Sequence, residues 1–318
     1  MLCYAYGIIQ TPALVSDGRR VRRGKPLRAV TDPRHINKMI DVLEQGQPVY
    51  YASSHEGIEC GFELGKKDAQ TWADYIVYDM EHAPYNIQAW AEYMRLAAGG
   101  PTRTGHRTPA VLAVAPVNGT DEATVRASAW QFQQMLATGI HGILLAHADT
   151  PGAVRAFVEA VRFPIHKEGV GQQGLQEGRR GVHGASTAAK IWGISTEQYL
   201  GRADPWPLNP RGELVLGVKI EDKYAFRYVE ESLRTPGIAV GEGGPGDMAL
   251  SLGFKKSSEP AVKRVEDQIF AIAKANKIFW NGINRDDAIE KIKAGYMIGF
   301  GPEAAEIGRK FTNRGLPY

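Results

Sequence analysis

Eight short runs of β-favouring residues recur along this sequence with helical patterns between them, and that alternation restricts the fold more than any other feature. The runs are Pro48–Ala52, Tyr75–Asp79, Ala110–Ala115, Gly142–Ala146, Leu214–Glu221, Gly237–Gly241, Lys277–Asn281 and Tyr296–Phe300. Helical patterns fall near Pro33–Gln45 and over Glu122–Ala137, Ala153–Val161, Tyr224–Leu233, Pro260–Ala275 and Arg285–Ala294. Strands separated by helices run parallel, so eight such units predict an α/β fold closed as a (β/α)8 TIM barrel, with its chemistry at the C-terminal strand ends. A doubly wound open sheet is the competing arrangement. The chain has 318 residues, 43% of them hydrophobic, enough apolar material for one core of that size.

Two segments break the rhythm. Residues 1–35, rich in Pro, Gly and Arg, read as an N-terminal arm lying on the surface or on a neighbouring subunit, ahead of a single barrel domain at 36–318. Pro164–Pro210 is too long for an ordinary connection and is expected to be a long loop insertion serving as a lid, a binding loop or an interface. It contains GVGQQGLQEGRRGVHGAS, where Arg179, Arg180 and His183 lie among glycines. Arg180 is thereby a candidate for gripping an anionic substrate, the alternative being a basic surface loop without a role.

Composition argues against several function classes. The formal net charge is only +3, and the one basic cluster, Arg19–Lys25, lacks aromatic interleaving, so nucleic acid is not an expected partner. No stretch approaches the roughly 18 uninterrupted apolar residues of a membrane span, and the N-terminus lacks the order of a signal peptide. Cys3 and Cys60 stand in separate contexts with no CxxC pattern, which suits a cytoplasmic, reducing compartment.

The candidate chemistry gathers at strand ends. YIVYDMEHAPYN, Tyr75–Asn86, begins as a buried strand and delivers Asp79, Glu81 and His82 at its end; helix capping is the bland alternative. His55 follows the first run and is expected at the same face, to bind substrate or as a structural histidine. In LVLGVKIEDK, Lys219 and Glu221 are two apart and therefore share one side of the strand, the lumenal side in a barrel. The next run leads through GEGGPGD to Asp247. Glu221 and Asp247 would make a hard oxygen site for Mg²⁺, Mn²⁺ or a similar ion. The alternatives are a salt bridge of Glu221 with Lys219 or Lys223 and an N-cap role for Asp247. GEGGPG also matches a dinucleotide fingerprint literally, but Pro245 removes an N–H that a pyrophosphate needs. Gly244 and Gly246 are instead expected to let backbone N–H groups approach a substrate carboxylate.

DMEHAP, KIED and GPGDMALSLG, in that order, resemble the HpcH/HpaI aldolase and citrate lyase beta-subunit family, with the likeness running from about Pro48 to Gly308 and including RRGVHGAS at Arg179–Ser186. The resemblance implies a (β/α)8 barrel that exchanges a terminal helix with a neighbour in a homo-oligomer, a hexamer or trimer of dimers. It implies a metal-dependent carbon–carbon lyase acting on a small 2-oxo acid and an aldehyde through a metal-bound enolate. On this reading Glu221 and Asp247 hold the metal, His82 oriented by Asp79 is the general base, and Glu81 supports a metal-bound water. Two positions depart from the pattern: Ala115 stands where the family has an arginine at the end of the third strand, and Lys219 where it often has glutamine. Together they predict that a positive charge has moved to Lys219, which would stabilise the enolate or grip a substrate carboxylate. A barrel that binds a metal or an acidic metabolite without turning it over is the alternative, and a dinucleotide-dependent oxidoreductase ranks third.

Overall fold

In the computed structural model, which describes residues 33–53 and 60–315, eight parallel strands close on one another in chain order. They are β1 (Val49–Ser53), β2 (Tyr75–Asp79), β3 (Ala110–Val114), β4 (Gly142–Leu145), β5 (Val215–Ile220), β6 (Ile238–Gly243), β7 (Phe279–Ile283) and β8 (Ile298–Phe300). The seam pairs Val49 with Ile298, Tyr50 with Gly299 and Tyr51 with Phe300, so the sheet has no free edge and the open-sheet alternative is excluded.

The two-residue side-chain period divides the apolar residues into two cores. On β5, Leu216, Val218 and Ile220 pack outward on the helices, whereas Val215 faces the lumen. On β2, Ile76 and Tyr78 pack outward and Tyr75 inward. The first helix, Lys38–Glu44, is buried on nearly every side because Met39, Ile40, Val42 and Leu43 join the lumenal core with Trp206 and stopper the end where the strands begin. Asn37 caps that helix by accepting from the Met39 N–H.

The helical expectations hold with shifts. Pro260–Ala275 forms as one helix, but Glu122–Ala137 divides into Glu122–Ala127 and Ala129–Ala137 at Ser128, and Tyr224–Leu233 divides at Tyr228. The segment 164–210 is more ordered than a loop: it carries helices Ala185–Trp192 and Thr196–Arg202, the second begun by a Ser195–Gln198 capping box. Their buried Trp192 and Tyr199 belong to the outer core. Glycines at both ends of the first, Gly184 and Gly193, in the left-handed conformation, gave the stretch its loop-like composition.

The terminal helix, Pro302–Phe311, is seated on the barrel of its own chain, where a Cβ at Gly308 would collide with Tyr50 Oη. Below it lies a fully buried carboxylate, Asp74, which accepts from Arg314 Nη1 (2.8 Å) and Nη2 (2.6 Å), Arg309 Nη2 (3.2 Å) and the Tyr50 N–H (3.0 Å), with Lys38 Nζ 3.4 Å away. Burial opposes the charge on Asp74, yet Arg314, Arg309 and Lys38 hold its carboxyl far below the usual range. Residues 1–32, with the Arg19–Lys25 cluster and Cys3, lie outside the described residues, and so does His55. Among the described residues, no helix is long and apolar enough to cross a membrane.

Candidate active site at the C-terminal strand ends

Asp79 closes β2 and organises the turn after it. Its Oδ1 accepts the backbone N–H groups of Glu81 (2.7 Å) and His82 (3.2 Å), and its Oδ2 lies 2.9 Å from His82 Nδ1. The His82 side chain is 69% exposed at the barrel mouth, and its pKa is raised by the Asp79 hydrogen bond. Asp79 is thus both a turn former and a partner that orients the imidazole.

Lys219 faces the lumen, as its spacing from Val215 and Glu221 requires. Its ammonium lies 3.0 Å from Glu81 Oε2, to which it donates, and 3.1 Å from Glu221 Oε2. Glu242 is its cross-strand partner on β6 and accepts from Asn281 Nδ2 at 2.8 Å. Burial works against the lysine's charge, but Glu221, Glu242 and Glu81 together raise its pKa. Burial also raises the pKa of Glu242, against the pull of Lys219.

The end of β4 adds a residue that the sequence alone did not single out. His147 has φ 45°, a left-handed conformation uncommon for a side chain of this size. Its N–H donates to Glu221 Oε1 (3.1 Å), its Nδ1 lies 3.0 Å from Asp222 Oδ2, and its Nε2 lies 3.5 Å from Glu81 Oε1 and 3.9 Å from Glu221 Oε1. Asp222 also caps helix Lys223–Arg227 through the N–H groups of Tyr224 and Ala225. Beside it, Asp149 is pushed up to about 7 by burial and then by the Asp222 charge. The signal for His147 and Asp149 was their position directly after the fourth strand-like run; that for Glu242 was its alternation with Val240.

Glu221 is 1% exposed, and its Oε2 accepts no hydrogen bond although the Lys219 ammonium is near. Glu81, His147 and Glu221 bring one donor atom each within 4.8 Å of one another. Two carboxylates and an imidazole gathered this closely suit a divalent cation. Gly244 abuts this group: a Cβ there would lie 2.5 Å from Glu221 Cβ and 2.6 Å from Glu221 Oε2. It precedes helix Pro245–Ser251, whose first turn carries Gly246 and Asp247, both exposed. Asp247 is not gathered into the Glu81–His147–Glu221 group.

Two expected site residues are elsewhere. Arg180 is 3% exposed within the helical layer, donating to Tyr199 Oη at 2.7 Å and stacked on Phe163, while its own N–H bonds to Arg162 O beyond helix Pro151–Val161. That helix descends from the mouth, so Arg180 belongs to the opposite end of the barrel and to packing. Ala115 is fully buried in the outer core with Val111 and Ala113, so it faces the helices and marks no vacancy in the lumen. Three glycines of GEGGPG, Gly244 among them, serve close packing: a Cβ at Gly241 would lie 2.5 Å from the Trp280 ring, and one at Gly243 would meet Glu266.

Against known proteins, the model of the HpcH/HpaI aldolase/citrate lyase family matches residues 64–301. The chain belongs to the HpcH/HpaI aldolase/citrate lyase family. It is 27% identical over 222 residues to a hydroxypyruvate/pyruvate aldolase of Sagittula stellata, covering 70% of this chain and 74% of that one. It is 29% identical over 206 residues to a 2-keto-3-deoxy-L-rhamnonate aldolase of Escherichia coli, covering 64% of each chain. A crystal structure of an HpcH/HpaI family protein from Burkholderia cenocepacia superposes with TM-score 0.61 at 22% identity, covering 84% of this chain and 93% of that one. Macrophomate synthase superposes with TM-score 0.56 at 18% identity, covering 89% of each. At these identities the superpositions speak for the fold of this HpcH/HpaI chain, a (β/α)8 barrel.

Proposed function

We propose that this HpcH/HpaI family member is a divalent-metal-dependent aldolase that cleaves or forms the carbon–carbon bond next to the keto group of a 2-oxo acid, with an aldehyde as the other fragment. Family membership and the aldolases it resembles support carbon–carbon lyase chemistry over a binding-only barrel or a dinucleotide enzyme. The observation that carries the reading is one mouth holding both the Asp79–His82 pair and the buried Glu221, which converges with Glu81 and His147 within 4.8 Å. Glu221 would hold the ion, Mg²⁺, Mn²⁺ or similar, and Asp247 would approach it from the adjoining strand end beyond Gly244. When bound, such an ion supplies a Lewis acid that accepts the charge developing on the keto oxygen.

The chain's own residues account for the proton. In the cleavage direction the substrate hydroxyl gives its proton to His82, the carbon–carbon bond breaks, the electron pair stays with the 2-oxo acid fragment as an enolate, and the aldehyde carbonyl forms. Asp79 accepts from Nδ1–H and leaves Nε2 as the base. Lys219 lies on the lumenal wall to meet the negative charge, and Glu81 fixes its ammonium.

The test is release of a 2-oxo acid from a panel of hydroxy-2-oxo acids with Mg²⁺ or Mn²⁺, and its loss on chelation. Glu221→Gln should remove both calorimetric metal binding and cleavage while circular dichroism stays unchanged. Unaltered metal affinity in that variant would overturn the ligand assignment, and metal binding without cleavage of any panel member would favour the binding-only barrel.

A further inference from the structure

We infer that His147 is a direct nitrogen ligand of the divalent cation, so that this chain holds its metal in a mixed carboxylate–imidazole centre. The inference rests on the metal-dependent reading above and adds a donor of a different chemical kind, supplied by the end of β4.

Three observations converge on it. First, the imidazole is aimed: Nδ1 is engaged by Asp222 Oδ2 at 3.0 Å, which as an N–H donor leaves the Nε2 lone pair directed at Glu81 Oε1 and Glu221 Oε1. A carboxylate behind one ring nitrogen and an ion before the other is how metal-ligating histidines are usually oriented. Second, the spacings fit a shared ion better than direct contact. At 3.5 and 3.9 Å, Nε2 is too far from either oxygen for a good hydrogen bond. Two donors each about 2.1 Å from one ion lie roughly 3.0 to 4.2 Å apart as the angle between them opens from cis to trans. Third, the residue is pinned in an unfavourable conformation. It keeps φ 45° because its N–H donates to Glu221 Oε1 and the next N–H, of Ala148, donates to Lys219 O. The same turn therefore couples the imidazole to the carboxylate it would share the ion with.

Lys219 does not compete for this position. Its ammonium meets the Oε2 atoms of Glu81 and Glu221, whereas His147 faces the Oε1 atoms. A nitrogen donor among carboxylates moves preference away from Mg²⁺ and towards Mn²⁺, Co²⁺ or Zn²⁺.

Pulsed electron paramagnetic resonance of the full chain loaded with Mn²⁺ tests this directly. A ¹⁴N coupling is expected in the wild type and in His82→Ala, and its loss in His147→Asn, a replacement that tolerates positive φ. Calorimetry should show His147→Asn losing at least about tenfold in Co²⁺ affinity and less in Mg²⁺ affinity. Asp222→Asn keeps the ring but removes its orienting charge, and should weaken Co²⁺ binding roughly 10- to 100-fold even if His147→Asn fails to fold. If Mn²⁺ binds, Glu221→Gln abolishes binding and the nitrogen coupling is absent or survives in His147→Asn, the inference is overturned while the metal-dependent reading stands. If Mn²⁺ does not bind, or binds independently of Glu221, both fall.

Discussion

On the proposed mechanism, His82 and Lys219 have separable duties at neighbouring points of the mouth. His82→Ala should lower turnover roughly 10²- to 10⁴-fold, the usual contribution of a positioned base, with metal affinity nearly unchanged. Because Asp79 raises the His82 pKa, the neutral base appears only at higher pH, and the acid limb of kcat/KM should lie above the ordinary histidine value of about 6.5. Asp79→Asn should move that limb to lower pH; a limb that does not move would place the proton on another group. Lys219→Gln should cost roughly 10²- to 10³-fold in kcat/KM, on the scale of one lost oxyanion donor, without weakening metal binding, since an ammonium repels a cation. Measuring kinetics and calorimetry on the same variant separates these effects. The two-residue alternation already made Lys219 legible as lumenal. The same count over Val111, Ala113 and Ala115 turns Ala115 outward, and the resemblance to a family arginine obscured that parity. An arginine introduced at 115 would meet the outer core instead of the substrate.

At the scale of elements, the turn between β6 and helix Pro245–Ser251 is held against Glu221 by the absence of a side chain at Gly244. Gly244 has φ −121°, so Gly244→Ala introduces no backbone strain and acts only through collision with the Glu221 side chain. We expect it to displace Glu221 and reduce metal affinity while the melting temperature changes little. Gly246→Ala, whose Cβ meets nothing, is the control and should leave affinity unchanged. Isothermal titration of both variants decides between them. The strands were readable because a buried parallel strand is a compact apolar run bounded by turns. The two helices within 164–210 were not, because each is short and Gly184 and Gly193 gave the segment the composition of a loop. His147 escaped because no periodic pattern marks a lone histidine after a strand; only its convergence with Glu81 and Glu221 across three strand ends gives it meaning.

For the molecule as a whole, Asp74 fastens the terminal helix and Arg314 to the foot of β1. Asp74→Asn removes the buried carboxylate that Arg309, Arg314 and Lys38 share, and should destabilise the fold by about 3–5 kcal/mol in denaturant unfolding. The sign with pH follows from the depressed pKa. The carboxylate's contribution is fully present above its unfolded value of about 3.9 and is lost as pH falls through the still lower folded value, a loss that Asp74→Asn should not show. An equal decline of both proteins in acid would assign the loss to other carboxylates.

The seam between β1 and β8 also has a temporal meaning. Val49 pairs with Ile298, so the earliest strand waits for the latest, and seven strands are synthesised before the gap can be filled. During that interval β1 and β7 offer unpaired N–H and C=O groups to any similar chain nearby. The Asp74 cluster lies beside this gap and recruits its arginines from just beyond β8, so the electrostatic latch and the last hydrogen-bonded ladder become available to the nascent chain together.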